Sequence, residues 1–333
     1  MPSKFDTPFT RDAGVELPLL CGAMYPCGNP ELVAAVSEAG GLGVVQPISF
    51  AYVHSGSLKA GLERVAELTQ KPVAFNAIIE KGSKKYERAM NAWIEEALDA
   101  GIKFFITALG NPAHVVKVVH AAGGIVYHDV TERRFAEKAR DAGVNGLIAV
   151  NQRAGGHAGI RGAKQLLDEL SDLGLPVVGA GGVGDEQAFV DMLDLGYAGV
   201  QMGTRFIATH ECKVHPDYRQ AIVDSQEQDI VLTKRLSGVD VAVIRRGSAD
   251  EMQDGEPGAL LSWFLRQPRT KHWARTFLAL RSLRALKRSS KSAQNKLGYG
   301  DVYQAGKSVA GVHEIEAAGD IVQRFRRELE AQA

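Results

Sequence analysis

Along the first 206 residues, short apolar runs alternate with stretches of helical periodicity. The runs fall at Leu17–Met24, Leu42–Pro47, Val73–Ile79, Phe104–Leu109, Ile125–Val130, Gly146–Asn151, Pro176–Gly181 and Val200–Phe206. They are near-continuously apolar rather than alternating, which predicts strands of a parallel sheet covered on both faces. Between them lie segments such as PELVAAVSEAG, GLERVAELTQ and EQAFVDMLDLG, whose apolar positions follow a helical period. Several end in Ala-Gly or Leu-Gly, placing glycine where a helix needs a left-handed terminating residue. Eight strand–helix units of roughly 25 residues predict an α/β fold of the (β/α)8 TIM-barrel class rather than an open sheet.

The eighth strand has no obvious long helix after it. Residues from about 210 to 300 are irregular, and the chain closes on HEIEAAGDIVQRFRRELEAQA, an amphipathic helix. This order predicts a barrel over 1–210 and 312–333, with a mainly helical cap or substrate domain over 211–311 inserted before the last helix. From Ser262 to Gly300 there are ten Lys or Arg and no acid. That stretch, densest over 266–296, reads either as a solvated helical face or as a landing patch for an anionic partner.

The charge balance narrows the function classes. Thirty-nine basic side chains meet thirty-nine acidic ones, which argues against dedicated nucleic-acid binding. No apolar run is long enough for a membrane span, and the opening MPSKFDTPFTRDAG lacks a signal peptide's apolar core. Three cysteines, Cys21, Cys27 and Cys212, cannot form a disulfide framework. The expectation is a cytoplasmic enzyme acting on a small molecule, with no metal, nucleic-acid or membrane partner. Its oligomeric state is left open, a dimer among the options. His210, Cys212 and His215 only superficially suggest a metal cluster.

In a barrel the loops after the strands carry the chemistry. The seventh is GAGGVGD (Gly179–Asp185) and the eighth begins QMGTRF (Gln201–Phe206). Glycines there let backbone N–H groups approach an anion, so Gly181, Gly182, Gly203 and Thr204 are candidate phosphate ligands. The seventh loop also satisfies G-x-G-x-x-G, but no acidic residue ends the next strand, and a dinucleotide-binding sheet is not expected. The sixth loop, NQRAGGHAG (Asn151–Gly159), sets His157 among small residues, where an imidazole can reach a flat ligand and move a proton.

The set CGAMYPCGNPELVAAVSEAGGLGVV, VAFNAII, RAGGHAG, GAGGVGD and QMGTRFIAT, in this order, resembles the nitronate monooxygenase (2-nitropropane dioxygenase-like) family. The resemblance runs from Pro18 to about Pro216 and resumes at VYQAGKSVAGV (Val302–Val312). It implies bound FMN. Gly22, Ala23 and Met24 would lie along the isoalloxazine, Asn76 would hydrogen-bond it, and Ala154 and Gly156 would pass near the ring. Ala180, Gly181 and Gly182, with Gln201, Met202, Gly203 and Thr204, would take the phosphate end. His157 would be catalytic, facing substrate; Tyr25 would shape the substrate side, and Tyr303, Lys307 and Ser308 would close the pocket from the cap. One departure stands out: where some relatives have His-Lys after the fifth strand, this chain has His128-Asp129, which removes a cationic flavin contact. The reaction implied is oxidation of alkyl nitronates with O2 to carbonyl compounds and nitrite. The same motifs occur in flavin-dependent NAD(P)H reductases of quinones or enoyl thioesters, and a flavin-free phosphate-binding isomerase or lyase also stays open.

Overall fold

A computed structural model of the chain describes residues 4–80, 82–233, 240–245 and 303–332. Eight parallel strands close into a barrel in sequence order: β1 Leu19–Cys21, β2 Leu42–Val45, β3 Val73–Ile79, β4 Phe104–Leu109, β5 Ile125–Val130, β6 Gly146–Val150, β7 Val177–Ala180 and β8 Gly199–Met202. The seam is β1 against β8, with Leu19 opposite Val200 and Cys21 opposite Met202. Helices intervene: α1 Pro8–Ala13, α2 Pro30–Glu38, α3 Pro47–Ser49, α4 Leu58–Leu68, α5 Lys84–Asp99, α6 Ala113–Ala121, α7 Arg133–Asp141, α8 Ala163–Leu170, α9 Glu186–Asp194, α10 Thr204–Ile207, α11 Pro216–Asp224 and α12 Ala318–Ala331. Helix starts carry side-chain caps where the sequence offers them. Ser57 accepts from the Ala60 N–H, and Asp185 from the Ala188 N–H at 2.9 Å. Helix-terminating glycines such as Gly40 (φ 98°) and Gly196 (φ 108°) are left-handed, as the Ala-Gly and Leu-Gly endings predict.

Two expectations need correction. The first strand is shorter than Leu17–Met24, because Gly22, Ala23 and Met24 leave the sheet at the barrel mouth. The eighth ends at Met202, and Thr204–Ile207 turn into a helix instead of extending it. Within the region expected as the cap, the described residues include a two-stranded antiparallel hairpin, β9 Ile230–Thr233 and β10 Val241–Ile244. The basic stretch 266–296 lies outside the described residues.

Strand alternation sorts side chains to two sides of the barrel wall. Outward residues pack under the helices. Inward residues, including Leu20, Val44, Ala74, Phe104, Tyr127, Ile148 and Val178, form a separate core inside the barrel. That core is plugged from the N-terminal end by α1. Phe9 packs edge-on to Phe104 (5.8 Å, 89°) and near Tyr127, whose hydroxyl donates to Asp12 at 2.9 Å. The interior is thus filled below and open only at the strands' C-terminal ends. Helix α12 lies between α2 and α9, with Phe325 edge-on to Phe189 at 5.2 Å. Among the described residues no helix is long and apolar enough to cross a membrane.

Candidate active site

The open end is organised around Asn151, which follows β6 and is fully buried. Its Oδ1 accepts from the Arg153 N–H (2.8 Å) and its Nδ2 donates to the Gly181 carbonyl (2.9 Å). One amide thereby fixes the sixth loop to the seventh. The Ala154 and Gly159 N–H groups both donate to the Asn151 carbonyl at 3.2 Å, folding the loop back on itself and presenting His157 at its turn.

A strap, residues 303–311, then closes over three loops. Gly306 N–H donates to Thr204 Oγ1 (3.0 Å) and Lys307 N–H to the Arg153 carbonyl (2.9 Å). The hairpin joins in: Ala242 N–H donates to the Gly156 carbonyl (2.7 Å), and Ile244 N–H to that of Tyr303 (2.8 Å). The strap crosses the sixth loop so closely that a Cβ on Gly306 would sit 2.6 Å from Gly155 N, and one on Gly155 2.8 Å from Gly306 N. Only glycine fits at either position.

These elements enclose a cavity of about 490 Å³, within the range of cofactor-sized pockets. The end of β1 lines it with Gly22, Ala23, Met24 and Tyr25, and β3 with Asn76. The sixth loop contributes Ala154, Gly156 and His157, and β7 contributes Ala180, Gly181 and Gly182. The eighth loop adds Gln201, Met202, Gly203 and Thr204, and the strap adds Ser308. Two candidates lie elsewhere. Tyr303 is buried, its ring stacked on Tyr218 (4.4 Å, 7°), and Lys307 pairs with Glu227 at 3.2 Å outside the cavity. Sequence reasoning did not assign Asn151, Asp129, Gln304 or Leu109. Leu109 is the one described non-glycine residue with a positive φ (72°), a strained rim position of the kind that collects at ligand sites.

The seventh loop has the shape of an anion cradle. Gly181 (φ 113°) and Gly182 (φ 88°) are consecutive left-handed residues. A Cβ on Gly181 would meet Ala154 N at 2.6 Å, and one on Gly182 would meet Arg153 Nε at 2.7 Å. With Gly203 across from them, bare backbone faces the cavity from two loops, a surface that fits the phosphate of a flavin mononucleotide. The flat wall from Gly22 to Met24 likewise fits a planar ring.

Electrostatically the cavity is unusual for one that would hold an anion. None of the described residues lining it is Lys or Arg. The nearby Arg153 is held by both oxygens of Glu227, at 2.9 and 2.8 Å. His157 stands on the exposed rim, and partial desolvation lowers its pKa, so its ring is neutral at pH 7. His128 is buried, and loss of solvent pushes it down to about 4. Thr107 Oγ1 donates to the Tyr127 carbonyl (3.1 Å), which leaves it to accept from His128 Nδ1–H at 2.8 Å. Burial pushes Asp129 up to about 7. The Cys27 thiol also lines the cavity, and its hydrogen bond with Cys212, followed by burial, raises its pKa far enough to keep it an unreactive thiol. Among the described residues no cluster could hold a metal ion.

The family model for nitronate monooxygenase matches residues 7–327. The chain belongs to the nitronate monooxygenase family. It is similar to a probable nitronate monooxygenase of Staphylococcus saprophyticus, 30% identical over 71% of this chain and 77% of the relative. It is also similar to a hydroxy-methyl-oxo-octahydroindene-carboxyl-CoA dehydrogenase of Mycobacterium tuberculosis, 27% identical over 75% and 69%. Among solved structures it is similar to FabK from Thermotoga maritima, with a TM-score of 0.78 and 25% identity, covering 98% of this chain and 97% of that one. Nitroalkane oxidase from Streptomyces ansochromogenes shares the fold, with a TM-score of 0.76, 20% identity and coverage of 97% and 98%. This family member is therefore an oxidoreductase, from a family in which flavin dependence is typical.

Proposed function

We propose that the protein is an FMN-dependent enzyme of nitronate monooxygenase type that oxidises alkyl nitronates with O2 to carbonyl compounds and nitrite. The observation that carries this reading is one cavity with twin bare-backbone loops on one side and a rim imidazole above. When bound, FMN supplies the electron-transfer chemistry. The chain's residues do the rest. Backbone N–H groups at Gly181–Gly182 and Gly203–Thr204 hold the phosphate, and Gly22 to Met24 with Asn76 seat the ring. A neutral His157 at the rim can take the α-proton of a nitroalkane or donate an N–H to a nitro oxygen.

One observation favours a second reading. Lining residues without Lys or Arg, above a single acid, suit an uncharged reacting group better than an anionic nitronate. A relative named as a carboxyl-CoA dehydrogenase points the same way. An NAD(P)H-dependent reductase of enoyl thioesters or quinones is that alternative. Anaerobic mixing of the flavin-loaded protein with propyl nitronate, NADH or NADPH separates the two. Bleaching of the flavin by nitronate alone supports the first; bleaching by a pyridine nucleotide and not by nitronate overturns it.

A further inference from the structure

The cavity floor holds a group that the chemistry above leaves unused. Tyr127 belongs to the core inside the barrel, so Asp129, two residues further along β5, points inward on the same face. It reaches the cavity, where its Oδ1 is buried and has no hydrogen-bond partner. Among the described residues the Asp129 side chain makes no hydrogen bond or ion pair. Its neighbours cannot supply one: β4 offers Ile106 and Ala108, and β6 offers Ile148 and Val150. The other titratable side chains around the cavity are Tyr25, Cys27, His128, His157 and Tyr218, and His128 is turned to Thr107. Folded proteins rarely leave a buried carboxyl oxygen unsatisfied, and the open side of this one is the ligand cavity.

We propose, resting on the FMN reading above, that Asp129 hydrogen-bonds the edge of the bound flavin ring from the barrel floor. The phosphate cradle is on β7 and β8, so a ring extending across the mouth reaches the β3–β5 side, where Asn76 and Asp129 stand. An isoalloxazine edge carries both carbonyl acceptors and an N–H donor. A neutral carboxyl donates to the former, and a carboxylate accepts from the latter. With burial holding Asp129 up to about 7, both forms occur near neutral pH. Because a carboxylate beside the ring opposes added negative charge, flavin reduction and protonation of Asp129 become linked.

The test titrates FMN into the full-length apoprotein by fluorescence quenching and measures the flavin's midpoint potential against pH, for wild type, Asp129→Asn and Asp129→Ala. Asparagine keeps a hydrogen-bonding edge, whereas alanine removes one bond, about tenfold in affinity. The expected result is near-wild-type FMN binding by Asp129→Asn, roughly tenfold weaker binding by Asp129→Ala, and a break in the wild-type potential–pH profile that Asp129→Asn lacks. Circular dichroism of both variants verifies the fold. If both variants bind FMN as wild type does and all three profiles coincide, this proposal fails while the FMN reading stands. If wild type itself has no affinity for FMN, both fail.

Discussion

Arg205 is the largest fully buried side chain in the described structure, and its neutralisation is the most exacting stability test the molecule offers. It follows Thr204 in α10, the short helix that continues the eighth loop. One guanidinium nitrogen pairs with Glu316 at 2.5 Å, and two reach the Glu314 carbonyl at 3.3 and 3.4 Å. Its Nε has no partner, and desolvation already lowers its pKa. Glu316 is shared with Arg324, and its backbone bridges Thr209. Glu316→Ala therefore leaves a buried cation whose remaining hydrogen bonds reach only a carbonyl, with the Glu186 and Glu314 carboxylates attracting it from further off. Removing one partner of such a pair costs about 3–5 kcal/mol. At roughly 2 °C per kcal/mol for a domain of this size, Tm falls by about 6–10 °C. Urea and thermal unfolding of the apoprotein measure the loss, and FMN affinity reports whether the cradle loosens with it. The double variant Arg205→Met with Glu316→Leu removes both charges and is expected to recover part of the loss. A cost below about 1 kcal/mol for Glu316→Ala, or a double variant no more stable than the single, would refute the reasoning.

Other outcomes follow from the same geometry. His128 and Asp129 pull the pH dependence of stability in opposite directions. The lowered His128 pKa means stability is lost as pH falls from 6.5 toward about 4, whereas the raised Asp129 pKa imposes a penalty that grows from pH 3.8 to about 7. Asp129→Asn apoprotein is thus more stable than wild type at pH 7, by up to ~4 kcal/mol, and equal to it near pH 4; denaturant midpoints at the two pH values check the sign. Gly181→Ala places a Cβ against Ala154 N at a strained φ, and FMN affinity is expected to drop at least tenfold by equilibrium titration. His157→Ala is expected to lower turnover by about 10²–10⁴ with FMN affinity unchanged, and unchanged turnover would remove that residue from the chemistry.

Much of this architecture is legible in the chain. Strands β3, β4 and β5 lie where the apolar runs put them, because a strand buried on both faces writes itself as an uninterrupted run. The errors cluster at the mouth. Gly22–Met24 and Thr204–Phe206 read as strand by composition, yet their job is to bend away and face a ligand. Asn151 sat inside a recognised motif, but nothing in one loop's sequence says its amide reaches a carbonyl thirty residues on. The Arg205–Glu316 pair is separated by 111 positions and has no local signal at all. Asp129 was visible only as a departure from relatives, and its lack of a partner is a fact of three dimensions.

The chain leaves β10 at Arg245 and returns at Tyr303 beside it, the Ile244 N–H donating to the Tyr303 carbonyl and Val243 bridging Gln304. Departure and return share one doorway. The entropy of closing a chain between two such neighbouring points grows only slowly with the number of residues between them. A lineage could rewrite that stretch, and with it whatever it contributes to choosing substrates, while the barrel and its cradle carried on undisturbed.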